Sequence, residues 1–452
     1  MRILEIWIKN YRQFNDLYID LRDASGGGRD ICFIGRNGTG KSTILEQIQF
    51  LLQHAYGFGN AENLQKIFHD GTKLQFFAVQ VSMTEGEPFC MVATFHGDTR
   101  SGAYSFKCET TLKSTLKKIF CYKPHVVNAP NLAGLSLLEP PLKADDSLVA
   151  YCPPEPMRNG ASGKITLNDA MKSGVLASHH HVIDSSSISK FWTVLTYLVG
   201  QRDLLFQKFL NEPENQELTV SKAKESFEQV HPNILTKLSE VWSAILSPAG
   251  LELNLDDVTI PTQLTDELEA NLRLTSSGAR IPYSNLSTGI RIHLFRIGHL
   301  YSLFFQRKIT RSVVLIDEPE NSLFPDFVYS LLQVYRNVLP EDAQLITATH
   351  DPLFAAQFPP SCRIILDFDD DGYVQARKGI SPEGDDPNDV LMKDFRIRNL
   401  YGTAGLAAWD RFVELRKTIP KEDDAVSKEE LIDEYNKIGE AYDFSPKDEI
   451  PK

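Results

Sequence analysis

The stretch Ile31-Cys32-Phe33-Ile34-Gly35-Arg36-Asn37-Gly38-Thr39-Gly40-Lys41-Ser42-Thr43 decides the fold. Four apolar residues read as a short strand, and Ile44, Leu45, Ile48, Leu51 and Leu52 follow at helical spacing. Between them lies Gly-x4-Gly-Lys-Ser, which arises by chance in roughly one or two chains per hundred of this length. Strand, glycine-rich turn and helix, in that order, are the context a phosphate-binding loop requires. Glycines let the backbone curl until successive N–H groups converge on an anion, backed by the positive end of the helix. Lys41 adds a point charge at the β- and γ-phosphates, and the Ser42 hydroxyl suits a Mg²⁺ ligand. Asn37, Gly38, Thr39, Gly40 and Thr43 complete the expected ATP cradle.

Three further elements answer this loop. Ser312-Val313-Val314-Leu315-Ile316-Asp317-Glu318-Pro319-Glu320 is an apolar run ending in acids, as in a buried parallel strand that delivers carboxylates to its C-terminal end. Asp317 then holds Mg²⁺, and Glu318 orients and deprotonates the attacking water. Gln344-Leu345-Ile346-Thr347-Ala348-Thr349-His350 is a second such strand, with His350 at its tip in reach of a γ-phosphate. A lone histidine is more often structural, so His350 takes its meaning from its neighbours. Asn285-Leu286-Ser287-Thr288-Gly289-Ile290-Arg291 opens an amphipathic helix with small polar residues, a weak anion-site signal in isolation.

Around these motifs, residues 1–20 alternate as two strands joined at Asn10-Tyr11-Arg12-Gln13. Residues 74–111 read as an antiparallel sheet, 125–186 as loop, and 188–246 as helices broken near Pro213 and Pro232. Strand signals return at 251–255 and 270–274. The Asp367–Gly372 acids sit between apolar runs and read as a hairpin turn rather than a metal site. From Asp386 the tail is helical and charged, with a solvated, frayed end. His179, His180 and His181 cannot converge on one ion from consecutive positions of a strand or helix, so they are read as loop with no metal.

Composition narrows the classes. The 452 residues are 42% hydrophobic and 24% charged, ordinary for a globular protein, and no apolar run is long enough to span a bilayer. The six cysteines are scattered, which fits reduced thiols in a cytoplasmic protein better than disulfides or zinc. A net charge of −13 lowers the prior for a nucleic-acid coat and keeps protein partners open.

Taken together, the 35–42 loop, Leu286-Ser287-Thr288-Gly289, Leu315–Glu318 and His350 resemble, in order, the Walker A, signature, Walker B and switch-histidine motifs of ABC-type ATPases. Asn10-Tyr11-Arg12-Gln13-Phe14 looks like the opening of the RecF, SMC and OLD-type branch of the AAA ATPases. The resemblance implies an α/β fold: a P-loop ABC-type ATPase head with an antiparallel β subdomain and an inserted helical lobe. The expected boundaries are 1–165 (head with Walker A and sheet), 166–280 (helical lobe), 281–400 (head with signature, Walker B and switch histidine) and 401–452 (charged helical tail). It further implies a homodimer, or a higher homo-oligomer, in which Ser287 and Gly289 of one copy complete the ATP site of the other, with Arg12 approaching the phosphates. The signature here reads Ser-Thr-Gly-Ile-Arg, and Leu323-Phe324-Pro325 stands where relatives often have Leu-His-Pro; neither change removes a charge-bearing group.

Within this branch, short ATPases without long coiled coils resemble the ATPase components of Septu- and PARIS-type anti-phage systems. The expectation is an ATP-driven sensor or scaffold holding a separate effector, a nuclease of HNH or TOPRIM type. The alternative is a RecF-like DNA repair clamp, whose best support is Lys113, Lys117, Lys118, Lys123 and His125 interleaved with Phe120 and Tyr122. A solvated helix face explains that stripe more simply. A transporter subunit fits the N-terminal pattern and the long insert poorly.

Overall fold

The computed structural model describes residues 1–23, 27–55, 71–82, 89–97, 103–110, 146–154, 179–184, 187–259, 269–282, 285–305, 307, 309–397, 401–422 and 424–444. Residues Met1–Gly384 form one compact unit and Asp385–Lys452 another.

Strands β1 (Arg2–Tyr11) and β2 (Phe14–Asp20) pair antiparallel across the Arg12-Gln13 turn, as the alternation predicts. Strand β3 (Asp30–Gly35) leads into the glycine-rich loop and helix α1 (Lys41–Ala55). Strands β4 (Gly71–Ser82), β5 (Phe89–Gly97) and β6 (Ala103–Thr110) join the hairpin in an antiparallel sheet of order β2-β1-β4-β5-β6. Trp7, Phe76, Ala78 and Val92 pack on one face of that sheet.

The second sheet carries the site. To β3 it adds β7 (Ser147–Cys152), β8 (His180–Val182), β12 (Arg311–Asp317), β13 (Gln344–Thr349), β14 (Arg363–Phe368) and β15 (Val374–Lys378), in the order β15-β14-β3-β13-β12-β7-β8. All neighbours pair parallel except β14 with β15. Parallel strands are covered on both faces, which is why β12 and β13 are buried at nearly every position. Gln344 stitches the two sheets together at the start of β13. Its amide donates to the carbonyls of Ile3 (2.9 Å) and Gly28 (2.8 Å), and its oxygen accepts from the Ile3 N–H at 2.7 Å.

Two readings of 125–186 are corrected. Its described parts are strands: Ser147–Cys152 is buried throughout as the neighbour of β12, and His180–Val182 extends the sheet beyond it. His180 and His181 therefore lie in an edge strand rather than a loop, with His179 just before it. His179 Nδ1 lies 3.0 Å from the Ser147 carbonyl, and His180 Nε2 lies 3.1 Å from the Gln49 amide nitrogen. The basic and aromatic stripe at 113–125 lies outside the described residues.

Helices α2 (Ile188–Asn211), α3 (Val220–Val230) and α4 (Ile234–Leu246) follow in sequence. They are followed by a small antiparallel sheet of β9 (Leu251–Thr259), β10 (Glu269–Leu274) and β11 (Arg280–Pro282). Helix α5 (Thr288–Phe304) is buried along most of its length. The Trp242 indole donates to the Leu294 carbonyl at 3.0 Å, and Phe191 packs edge-on against Trp242 and Phe295. Helix α6 (Pro325–Val338) follows β12, and the short α7 (Pro352–Ala355) follows β13.

The acids at 367–371 sit at the β14–β15 hairpin. Asp369 Oδ1 accepts from the Asp371 and Tyr373 N–H groups, and Gly372 takes a left-handed φ of 81°. The second unit contains α8 (Pro387–Lys393), α9 (Thr403–Thr418) and α10 (Ala425–Tyr442). Trp409, Phe412, Val413 and Phe444 form a core within it.

Candidate functional site

The parallel sheet brings the C-terminal ends of β3, β12 and β13 side by side. The glycine-rich loop, Asp317-Glu318 and His350 thereby meet on one edge, where open α/β sheets bind ligands. Gly38 and Gly40 take left-handed φ values of 83° and 87°. A Cβ on Gly40 would collide with the Phe14 ring and the Gln13 amide, so that position demands glycine on both conformational and steric grounds. Thr39 is buried, and its hydroxyl donates to the Arg36 carbonyl at 2.8 Å.

Lys41 opens α1 and is buried. Its ammonium donates to the carbonyls of Gly35 (2.8 Å) and Arg36 (3.1 Å), leaving the third N–H for another acceptor. Burial lowers its pKa, while the charges of Asp317, Glu318 and Glu320 oppose that shift. The Asp317 carboxylate is almost wholly buried, and neither oxygen has a well-formed hydrogen bond. Burial raises its pKa to about 6, against the influence of the nearby Ser42 hydroxyl and the Lys41 charge. A buried carboxylate beside a serine hydroxyl is the donor set a hard divalent cation fits.

Glu318 takes a left-handed φ of 46°, uncommon for a residue with a side chain. Its N–H donates to the Ala348 carbonyl at 2.8 Å, and its own carbonyl accepts from Asn321 N–H (3.2 Å) and the Arg296 guanidinium (3.4 Å). This fold of the turn holds the Glu318 side chain half-exposed at the sheet edge. His350 Nδ1 stands 3.5 Å from a Glu318 carboxylate oxygen and 3.9 Å from one of Glu320. Glu320 is buried, accepts from the Thr349 hydroxyl at 2.5 Å, and has its pKa raised by burial to about 7.

Arg12 lies in the β1–β2 turn, and Ser287 and Gly289 lie at the start of α5. The Arg12 guanidinium sits over the Tyr11 ring, 5.2 Å from its centroid, and its charge acts on Glu46 of α1. Its neighbour Gln13 instead touches the loop, donating to the Gly38 carbonyl at 3.2 Å. Ser287 is the exposed N-cap of α5 with no capping bond from its side chain. Gly289 is buried, and a Cβ there would strike the Ser322 carbonyl. Its lack of a side chain is thus already required within its own chain.

The sequence did not flag Gln13, Thr349, His293 or Arg296. His293, one turn after Gly289, places Nδ1 2.8 Å from the Gly289 carbonyl and Nε2 2.6 Å from that of Pro319. Burial drives its pKa down to about 4, and the two carbonyls pull the other way. Both nitrogens face acceptors, so a neutral ring donates to only one of them. The one available signal was the i, i+4 and i, i+7 spacing from Gly289, which places Gly289, His293 and Arg296 on one helix face.

A nucleotide-phosphate loop, paired acids and a histidine on one edge of a parallel sheet define a P-loop ATPase head. The chain belongs to the AAA ATPase domain family, which matches residues 1–94 and 186–355, more than half of its length. The family binds nucleotide. No curated protein sequence matches the chain. Among solved structures, a crystal structure of the SmcHead bound to the C-winged helix domain of ScpA is similar at 14% identity and TM-score 0.44, covering 84% of this chain and 98% of that one. The SMC head domain from Thermotoga maritima is similar at 12% identity and TM-score 0.40, covering 84% and 100%. No helix among the described residues is long and apolar enough to cross a membrane.

Proposed function

We propose that this chain binds Mg²⁺-ATP and hydrolyses it, pairing with a second copy around the nucleotide. The observation that carries this reading is the buried carboxylate of Asp317 beside the Ser42 hydroxyl, at the mouth of the Lys41 loop. Loop N–H groups from Asn37 to Thr43 and the third Lys41 proton grip the β- and γ-phosphates. Ser42 and Asp317 hold Mg²⁺, which neutralises phosphate charge. Glu318 accepts a proton as water oxygen attacks the γ-phosphorus and the bond to the ADP oxygen breaks. His350, beside Glu318, orients that carboxylate or donates to the γ-phosphate. Ser287 is exposed at a helix N-terminus, which supports its use by a second copy's ATP.

Lys41→Ala is expected to abolish ATP binding in a nucleotide titration. Glu318→Gln is expected to retain binding while hydrolysis falls by on the order of a hundredfold or more. It should also sediment as a dimer with ATP and as a monomer without. Brisk turnover in Glu318→Gln would remove the assigned base.

The output follows from the resemblance of the motifs to anti-phage ATPases: a nucleotide-gated scaffold that restrains a separate nuclease. Purification with the products of adjacent genes tests it. Absence of any complex, with and without ATP, sinks the scaffold reading but leaves the ATPase intact.

A further inference from the structure

We propose that His293 and Arg296 of α5 are positioning residues that hold the Glu318 turn in its left-handed form. The inference rests on Glu318 being the base. A left-handed non-glycine residue is strained and persists only where the surroundings over-determine it. The Glu318 N–H bond to the Ala348 carbonyl and the Asn321 N–H bond to the Glu318 carbonyl hold part of this turn, and one helix adds further restraints. The Arg296 guanidinium donates to the Glu318 carbonyl at 3.4 Å and, through its other terminal nitrogen, to the Pro153 carbonyl at the end of β7. His293 contacts the next carbonyl, that of Pro319, at 2.6 Å. One turn earlier the Gly289 backbone lies directly on Ser322, the second left-handed residue of the same turn, at φ 65°.

Three successive levels of α5 thus engage residues 318, 319 and 322. His293 and Arg296 are both almost fully buried, so the contacts are made without competing water. Neither side chain approaches the glycine-rich loop in any described contact; both act on the backbone that aims the carboxylate. A simple packing role would not need polar groups here. A buried imidazole and a buried guanidinium are costly unless their donors find acceptors. Two of the acceptors they meet, the carbonyls of Glu318 and Pro319, belong to the turn itself.

The consequence is a split between binding and turnover. Displacing a reacting group by about an ångström costs on the order of a hundredfold in rate. His293→Phe keeps a ring of similar shape and removes both polar contacts. It should lower kcat tenfold to a hundredfold while ATP affinity stays within about twofold. His293→Gln, which keeps a donor, should recover part of the loss. Arg296→Lys keeps the charge but cannot span Glu318 and Pro153 together, and should behave like His293→Phe; it serves as the test if His293→Phe does not fold.

The deciding measurement is a double-mutant cycle with Glu318→Gln. A residue acting through Glu318 adds no further loss of kcat once that carboxylate is gone. The proposal is overturned if a folded His293→Phe or Arg296→Lys hydrolyses ATP at the wild-type rate. It is also overturned if binding and turnover fall together, or if the loss is the same factor in both backgrounds. Failure of the base assignment has a separate signature, namely wild-type turnover in Glu318→Gln alone.

Discussion

Glu320 sits two residues beyond the expected base, is buried and accepts a hydrogen bond from Thr349. Its pKa is raised from 4.5 to about 7. The native state therefore holds a proton that the unfolded chain has already lost. Native stability falls as pH rises from about 4.5 to about 7 and is level above that, a penalty of about 3 kcal/mol at most. Glu320→Gln keeps an acceptor for Thr349 and removes the charge. Urea midpoints should show the variant gaining on the wild type at pH 8 but not at pH 4.5. Parallel curves across this range would remove the buried charge as their cause. Residues such as Lys41 and Asp317 are legible in sequence because their chemistry fixes residue type and spacing. Gln13 and His293 are not, because each acts on a backbone carbonyl, and any carbonyl in the chain offers the same target.

Helix α5 shows how packing overrides local preference. Alanine is favoured over glycine in a helix interior by about 1 kcal/mol. At Gly298, however, an added Cβ would press on the rings of Trp242 and Phe191. Overpacking of this kind costs about 1–3 kcal/mol, so the clash wins and Gly298→Ala should lower the urea midpoint. A raised midpoint would mean that the Trp242 ring yields at little cost. The same contest between local signal and context explains the strands that were misjudged. Ser147–Cys152 carries a short apolar run, but it is bounded by Pro- and Asp-rich sequence. Its strand character comes from pairing with β12, more than a hundred and fifty residues away. The strands with a periodic or motif-bearing neighbour, β1 to β6 and β12 to β15, were readable without that partner.

At the scale of the whole molecule, every element of the candidate site lies in the unit Met1–Gly384. The unit Asp385–Lys452 has its own core in Trp409, Phe412, Val413 and Phe444, stiffened by Arg411, which pairs with Glu434 at 2.8 Å. A chain ending at Gly384 should bind ATP with unchanged affinity, measured by the same nucleotide titration. Loss of binding would assign the second unit a part in the site.

The order β14-β3-β13 has a consequence for how the protein is made. The strand that precedes the glycine-rich loop ends at Gly35, yet both of its neighbours come from beyond residue 343. At ~5–20 residues per second, the ribosome takes roughly a quarter of a minute to a minute to supply them. Through that interval the loop has no acids or histidine opposite it. A chain released before residue 344 therefore lacks both strands that flank the glycine-rich loop's own strand.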